Sequence, residues 1–167
     1  SLGEAEFVRW SLGTIARPRG IFNRHPRWIE SEHGEIAYVH VATYGGVRFL
    51  EQWDRVADEI YRCEHVRAIL LDLRGNGGGS NTAIRTIGDF LLFNEPIIEF
   101  ESLLGEHQWT QRVRNRTPPV SRLLPHRVFV LIDRNTASLA EITASVLRES
   151  RAAIIIGEPS YGKGTTQ

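Results

Sequence analysis

The most regular pattern in the chain is helical. Phe49, Trp53, Val56, Ala57 and Ile60 recur at intervals of three and four, which places them on one stripe and predicts an amphipathic helix over 47–62. Phe49 and Trp53 read as core on that stripe, not as a platform for a ligand. A different pattern follows. Ala68 to Leu73 is a short apolar run, AILLDL, of the kind needed by a parallel strand buried on both faces. The runs 128–132 and 153–157 have the same character. Upstream, 27–31 and 35–42 are β-like on either side of His33-Gly34, which predicts a hairpin. A helix is expected from about Asn81 to Phe93, with Ile84, Ile87, Phe90 and Leu91 inward. Another is expected over 138–150. Ile97 to Ser102 and roughly 108–114 read as strands. Residues 112–127 carry Arg112, Arg114, Arg116, Arg122 and Arg127 among three prolines, a composition expected of a solvated loop. Residues 1–26 read as an irregular, locally basic lead-in.

Strands that alternate with helices imply an α/β fold with a mostly parallel sheet. In right-handed parallel crossovers, every segment that directly follows a strand lies at the carboxyl edge of the sheet. Three such segments carry candidate chemistry: the glycine turn 75–79 after strand 68–73, Ser138 after strand 128–132, and Lys163 after strand 153–157. They can meet if their strands are neighbours, about 4.8 Å apart. This is also the edge where open α/β sheets bind ligands.

Composition narrows the function by exclusion. Twenty acidic and twenty basic residues give a formal net charge of zero, which removes the electrostatic argument for a nucleic-acid partner. No apolar run has the length of a membrane span. The single cysteine, Cys63, allows no internal disulfide and no cysteine-rich metal site. At 167 residues the length fits one domain.

Lys163 is the only lysine, and the other basic residues are arginines. Arginine cannot lose its proton in a protein, whereas a desolvated lysine can. The one position that keeps lysine is therefore a candidate for chemistry needing a neutral amine. A serine hydroxyl is a weak nucleophile that needs an adjacent base. None of the six histidines falls in the final strand–helix–strand unit, and a neutral lysine does the same work. Moving its pKa from ~10.4 to roughly 7–8 requires about 4 kcal/mol, expected here from burial among Ile154, Ile155, Ile156 and Tyr161. Backbone N–H groups of the glycine turn and of Leu139 would then cradle an oxyanion. Each part also has a plainer reading. Ser138-Leu139-Ala140-Glu141 fits the helix capping box. Gly157 to Lys163 fits G-x-x-x-x-G-K, the phosphate loop, but Gly164 stands where that motif needs a hydroxyl. A binding module for peptides or apolar ligands is a further alternative, with no reason of its own to keep both Ser138 and Lys163.

At these residues the sequence resembles the carboxyl-terminal processing, or tail-specific, serine peptidases. The family's D-L-R-x-N-x-G-G is matched by Asp72 to Gly79, its T-A-S-x-A-E-I by Thr136 to Ile142, and its G-E-x-x-x-G-K-G-x-x-Q by Gly157 to Gln167. The resemblance implies a crotonase/ClpP-like α/β core, a mostly parallel sheet flanked by helices. It places the nucleophile on Ser138, the general base on Lys163, and an amine-orienting glutamine on Gln167. It puts the oxyanion donors on Gly78 or Gly79 and on Leu139. It implies a polypeptide substrate, cleavage in protein tails, no cofactor and no metal, an extracytoplasmic setting, and no bar to a homo-oligomer. Residues 1–34 show no similarity to the family and read as a lead-in segment and hairpin start, and 35–167 correspond to the catalytic core, expected to be cut short at its carboxyl end. The pattern departs from the family at Leu139, where many members have Ala, and in having no peptide-binding PDZ-type domain.

Overall fold

The structure, a computed structural model, describes residues 25–101, 110–115 and 122–163. Its described elements run β1 (Arg27–Ser31), β2 (Gly34–His40), α1 (Gly46–Arg62), β3 (Val66–Asp72), α2 (Ala83–Gly88), β4 (Pro96–Glu101), β5 (Thr110–Arg114), β6 (Arg127–Ile132), α3 (Leu139–Glu149) and β7 (Ala153–Gly157). The main sheet has the order β1-β2-β3-β6-β7. β1 and β2 form the expected antiparallel hairpin, and every other pairing in this sheet is parallel. β4 and β5 pair separately, antiparallel.

The central strands are apolar on both faces because both faces are buried. Val39, Ile69, Leu71 and Val130 point to one side, where the stripe of α1 (Phe49, Trp53, Val56, Ala57, Ile60) meets Ile87 of α2 and Leu147 of α3. Ile36, Tyr38, Leu70, Phe129 and Leu131 form a second cluster on the opposite face. The period-two alternation of a strand accounts for the split.

Two expectations are corrected. The helix foreseen over 81–93 closes after Gly88, because its carbonyls find partners elsewhere. Asn115 Nδ2 donates to the carbonyls of Gly88, Leu91 and Leu92 at 2.9, 3.0 and 3.1 Å, and Leu123 N–H takes the Asp89 carbonyl. Of the inward set, Ile87, Phe90 and Leu91 are buried and Ile84 is half-buried. The second correction concerns Arg122, expected in a solvated loop. It is 6% exposed and forks onto Asp89, Asp54 and Asp58 at 2.6–2.9 Å. Asp89, fully buried, also accepts bonds from Trp53 Nε1 and Arg85 Nη1. Burying that carboxylate is tolerable only because so many donors surround it.

Candidate active site

β3, β6 and β7 are adjacent in the sheet, so the segments leaving their carboxyl ends converge. The first is prepared by Asp72. Its buried carboxylate accepts Arg74 N–H, Nε and Nη2 at 3.0, 2.8 and 2.7 Å and the Tyr38 hydroxyl at 2.8 Å. Burial opposes its charge, but the Arg74 guanidinium outweighs that and holds the carboxyl below the usual carboxylate range. Burial, then the Asp72 charge, pushes the Tyr38 phenol up. Arg74 is thus folded back on the strand it follows, and the chain turns into Gly75–Gly79.

This turn is bonded to the one after β6. Ala137 N–H donates to the Asn76 carbonyl at 2.9 Å. Gly75 N–H donates to Asp133 Oδ1 at 2.9 Å and Thr136 Oγ1 to the Leu73 carbonyl at 2.9 Å. Gly78 lies so close to Ser138 that a methyl group on it would sit 2.8 Å from Ser138 Cβ and 3.1 Å from Leu139 N. Only glycine fits there, and its φ of +96° suits only glycine as well.

Ser138 opens α3 with φ 56° and ψ −126°. A positive φ is strained for a residue with a Cβ. A serine on such a strand-to-helix turn presents its hydroxyl outward. The capping-box reading holds for its glutamate half: Ser138 N–H donates to Glu141 Oε2 at 2.8 Å. The serine half is looser, since the Ser138 hydroxyl makes no cap hydrogen bond of normal geometry.

Glu141 does more than cap the helix. The same Oε2 accepts Lys163 N–H at 2.9 Å, while Oε1 accepts Ser160 Oγ at 2.7 Å and Gly162 N–H at 2.6 Å. The backbone nitrogens of Ser138 and Lys163 are therefore no farther apart than the sum of 2.8 and 2.9 Å. Burial resists the charge on Glu141, but the Ser160 hydroxyl and the three N–H groups hold its carboxyl below the usual carboxylate range. Tyr161 N–H adds a bond to the Thr136 carbonyl. The phosphate-loop reading fails at this point, because such a loop needs amides free to receive an anion and those of Gly162 and Lys163 are spent on Glu141.

Of the predicted site residues, Ser138, Leu139, Gly78, Gly79 and Lys163 are brought to one edge, and Gln167 lies outside the described residues. The expected burial of Lys163 is corrected: its side chain is exposed. Among the described residues β7 is the edge strand, Ile154 and Tyr161 are 50% and 71% exposed, and Ile155 and Ile156 are themselves only half-buried. Sequence reasoning also missed Asp133 and Thr136 as staples between the turns. Their only local sign was position between a strand and a helix.

The fold and this edge define a mostly parallel α/β protein with a strained serine and a tethered lysine at neighbouring strand ends. The model of peptidase family S41 matches residues 35–167. A carboxyl-terminal-processing peptidase 2 of Arabidopsis thaliana chloroplasts is 31% identical over 137 residues, 82% of this chain and 25% of its own. A tail-specific protease of Haemophilus influenzae is 30% identical over 105 residues, 62% of this chain and 14% of its own. Among solved structures, a photosystem II D1 C-terminal processing protease superposes with a TM-score of 0.63 at 25% identity, over 80% of this chain and 33% of its own. The chain belongs to peptidase family S41. It spans about a quarter or less of the length of these two curated relatives.

Proposed function

We propose that the chain carries the catalytic centre of a serine endopeptidase whose nucleophile is Ser138 and whose base is Lys163. The observation that carries this reading is Glu141 Oε2, which binds the backbone N–H of both residues and so fixes their separation. The four-carbon stem of lysine is long enough to reach across a backbone separation of that size. A neutral Lys163 Nζ takes the Ser138 proton as Oγ bonds to the scissile carbonyl carbon. The resulting ammonium gives that proton to the amide nitrogen as the C–N bond breaks, releasing the new amino terminus. Water then adds to the acyl-serine ester, losing a proton to Lys163. Collapse releases the carboxyl product and returns the proton to Ser138. Gln167 is assigned the role of orienting the amine by motif alone. The substrate class is polypeptide, cleaved in carboxyl-terminal regions, a reading that rests on the names of the relatives.

Intact mass after exposure to a fluorophosphonate tests this on wild type, Ser138→Ala and Lys163→Arg. One adduct on wild type and none on either variant is expected. Equal labelling of wild type and Lys163→Arg removes the lysine from the mechanism. A folded wild type with no adduct refutes the assignment.

A further inference from the structure

Gly77, Gly78 and Gly79 run consecutively beside Ser138. Peptide planes between glycines rotate with little steric resistance, so a glycine turn alone does not determine which way its N–H groups face. An oxyanion hole requires donors fixed before the reaction. Something outside the three glycines must hold the plane.

The structure shows what does. The Gly78 carbonyl accepts two bonds, from Tyr44 N–H at 2.9 Å and from Thr43 Oγ1 at 3.1 Å. The Gly78 N–H donates to Asn76 Oδ1 at 2.8 Å. Asn76 is itself fully buried, with Nδ2 on the Val41 carbonyl at 2.8 Å. Thr43 and Tyr44 follow β2, and Tyr44 is anchored by an edge-on contact with Phe49, ring centroids 5.3 Å apart. Ser80 N–H returns to the Tyr44 carbonyl at 2.6 Å. Gly78 is thus pinned at both ends, and its N–H is already spent. In a trans peptide the carbonyl and the following N–H point in opposite directions. Gly79 N–H is therefore turned away from Thr43 and Tyr44, and it has no hydrogen-bond partner among the described residues.

We propose that Thr43 and Asn76 are positioning residues for the reaction at Ser138: Thr43 locks the Gly78–Gly79 peptide through the Gly78 carbonyl and Asn76 locks the Gly77–Gly78 peptide before it through the Gly78 N–H, so that Gly79 N–H, together with Leu139 N–H, receives the oxyanion. The inference rests on the peptidase reading. It separates the two glycines, assigning Gly78 to the frame and Gly79 to the chemistry. Thr43 belongs to none of the motifs around Ser138 and Lys163, and its hydroxyl has no other bond among the described residues.

The test is the second-order rate constant for fluorophosphonate labelling of wild type, Thr43→Val, Thr43→Ser and Asn76→Asp, with kcat and KM on a peptide that wild type cleaves. Valine keeps the shape of threonine and removes only the hydroxyl. Complete loss of an oxyanion donor costs about 10²–10³ in rate, so loosening one is expected to slow labelling by about tenfold. Thr43→Val should show that loss in kcat with KM and thermal midpoint unchanged, and Thr43→Ser should restore the rate. Asn76→Asp keeps an acceptor for Gly78 N–H but loses the donor to Val41, and should also lower kcat at constant KM. Labelling of Thr43→Val at the wild-type rate, or failure of Thr43→Ser to restore it, overturns the role of Thr43. An Asn76→Asp variant that cleaves normally overturns that of Asn76. Wild type that never labels removes the peptidase reading and this inference with it, so the two failures are distinguishable.

Discussion

Replacing Glu141 with glutamine tests the central tie of the site. The carboxylate accepts bonds from Ser138 N–H, Lys163 N–H, Gly162 N–H and Ser160 Oγ. A carboxamide keeps one oxygen, enough for the Ser160 and Gly162 donors. Its NH₂ group must then face Ser138 N–H and Lys163 N–H, donor against donor. Each bond to a charged acceptor is worth about 1.5–3 kcal/mol. Glu141 is only half-buried, so water recovers part of the loss, and the net cost is expected to be about 2 kcal/mol. The pH dependence separates this from a packing effect. The folded-state pKa of Glu141 lies below its unfolded value. Its contribution is therefore fully present above the unfolded pKa of about 4.3 and is lost as pH falls through the folded one. Urea unfolding of wild type and Glu141→Gln should show the full gap at neutral pH and a narrowing gap below pH ~4. Asp72, whose carboxyl is also held low, keeps part of the acid sensitivity in both proteins. A gap under about 0.5 kcal/mol, or one that does not change with pH, would refute the reasoning.

Asp89→Asn should destabilise the fold by about 3 kcal/mol in urea, because it leaves Arg122 and Arg85 with a neutral partner in a buried place. Labelling of the surviving folded fraction should be unaffected. Gly79→Ala should cost about 3 kcal/mol and abolish labelling, since the new methyl group would lie 2.1 Å from the Tyr44 carbonyl oxygen at a φ of +140°; a labelled, wild-type-like variant would show that the turn yields. Burial holds the His126 imidazole below its usual pKa. Stability should therefore fall as pH drops below the unfolded value of about 6.5, and His126→Phe should make thermal midpoints between neutral pH and about pH 5 less steep.

What the sequence made legible was whatever depends on nearest neighbours along the chain. The stripe of α1 and the apolar runs of β2, β3, β6 and β7 are periodic, and burial on one stripe or on two faces follows directly from period. The meeting of Gly78, Ser138 and Lys163 was also legible, because a parallel crossover leaves every strand end on the same edge. Polar partnership is a different kind of information. Arg122 sits among arginines and prolines, and nothing local distinguishes it from Arg112, which lies exposed on β5; its partner Asp89 is 33 residues away. The stop of α2 is written in Asn115, 27 residues beyond Gly88.

Glu141 was legible as a cap because that bond spans three residues, but its three other donors belong to the loop after the next strand. Thr43 has the same character: its hydroxyl acquires a role only once the ends of β2 and β3 lie side by side. Each of these cases pairs a buried or half-buried polar group with a partner supplied by another element, which the cost of an unsatisfied group demands. Hydrophobic period therefore settles which residues form the sheet and which edge carries the chemistry. Long-range polar bonds settle how that edge is held, and substitutions at Thr43, Asn76 and Glu141 should act on reactivity while those at Asp89 and Arg122 act on stability alone.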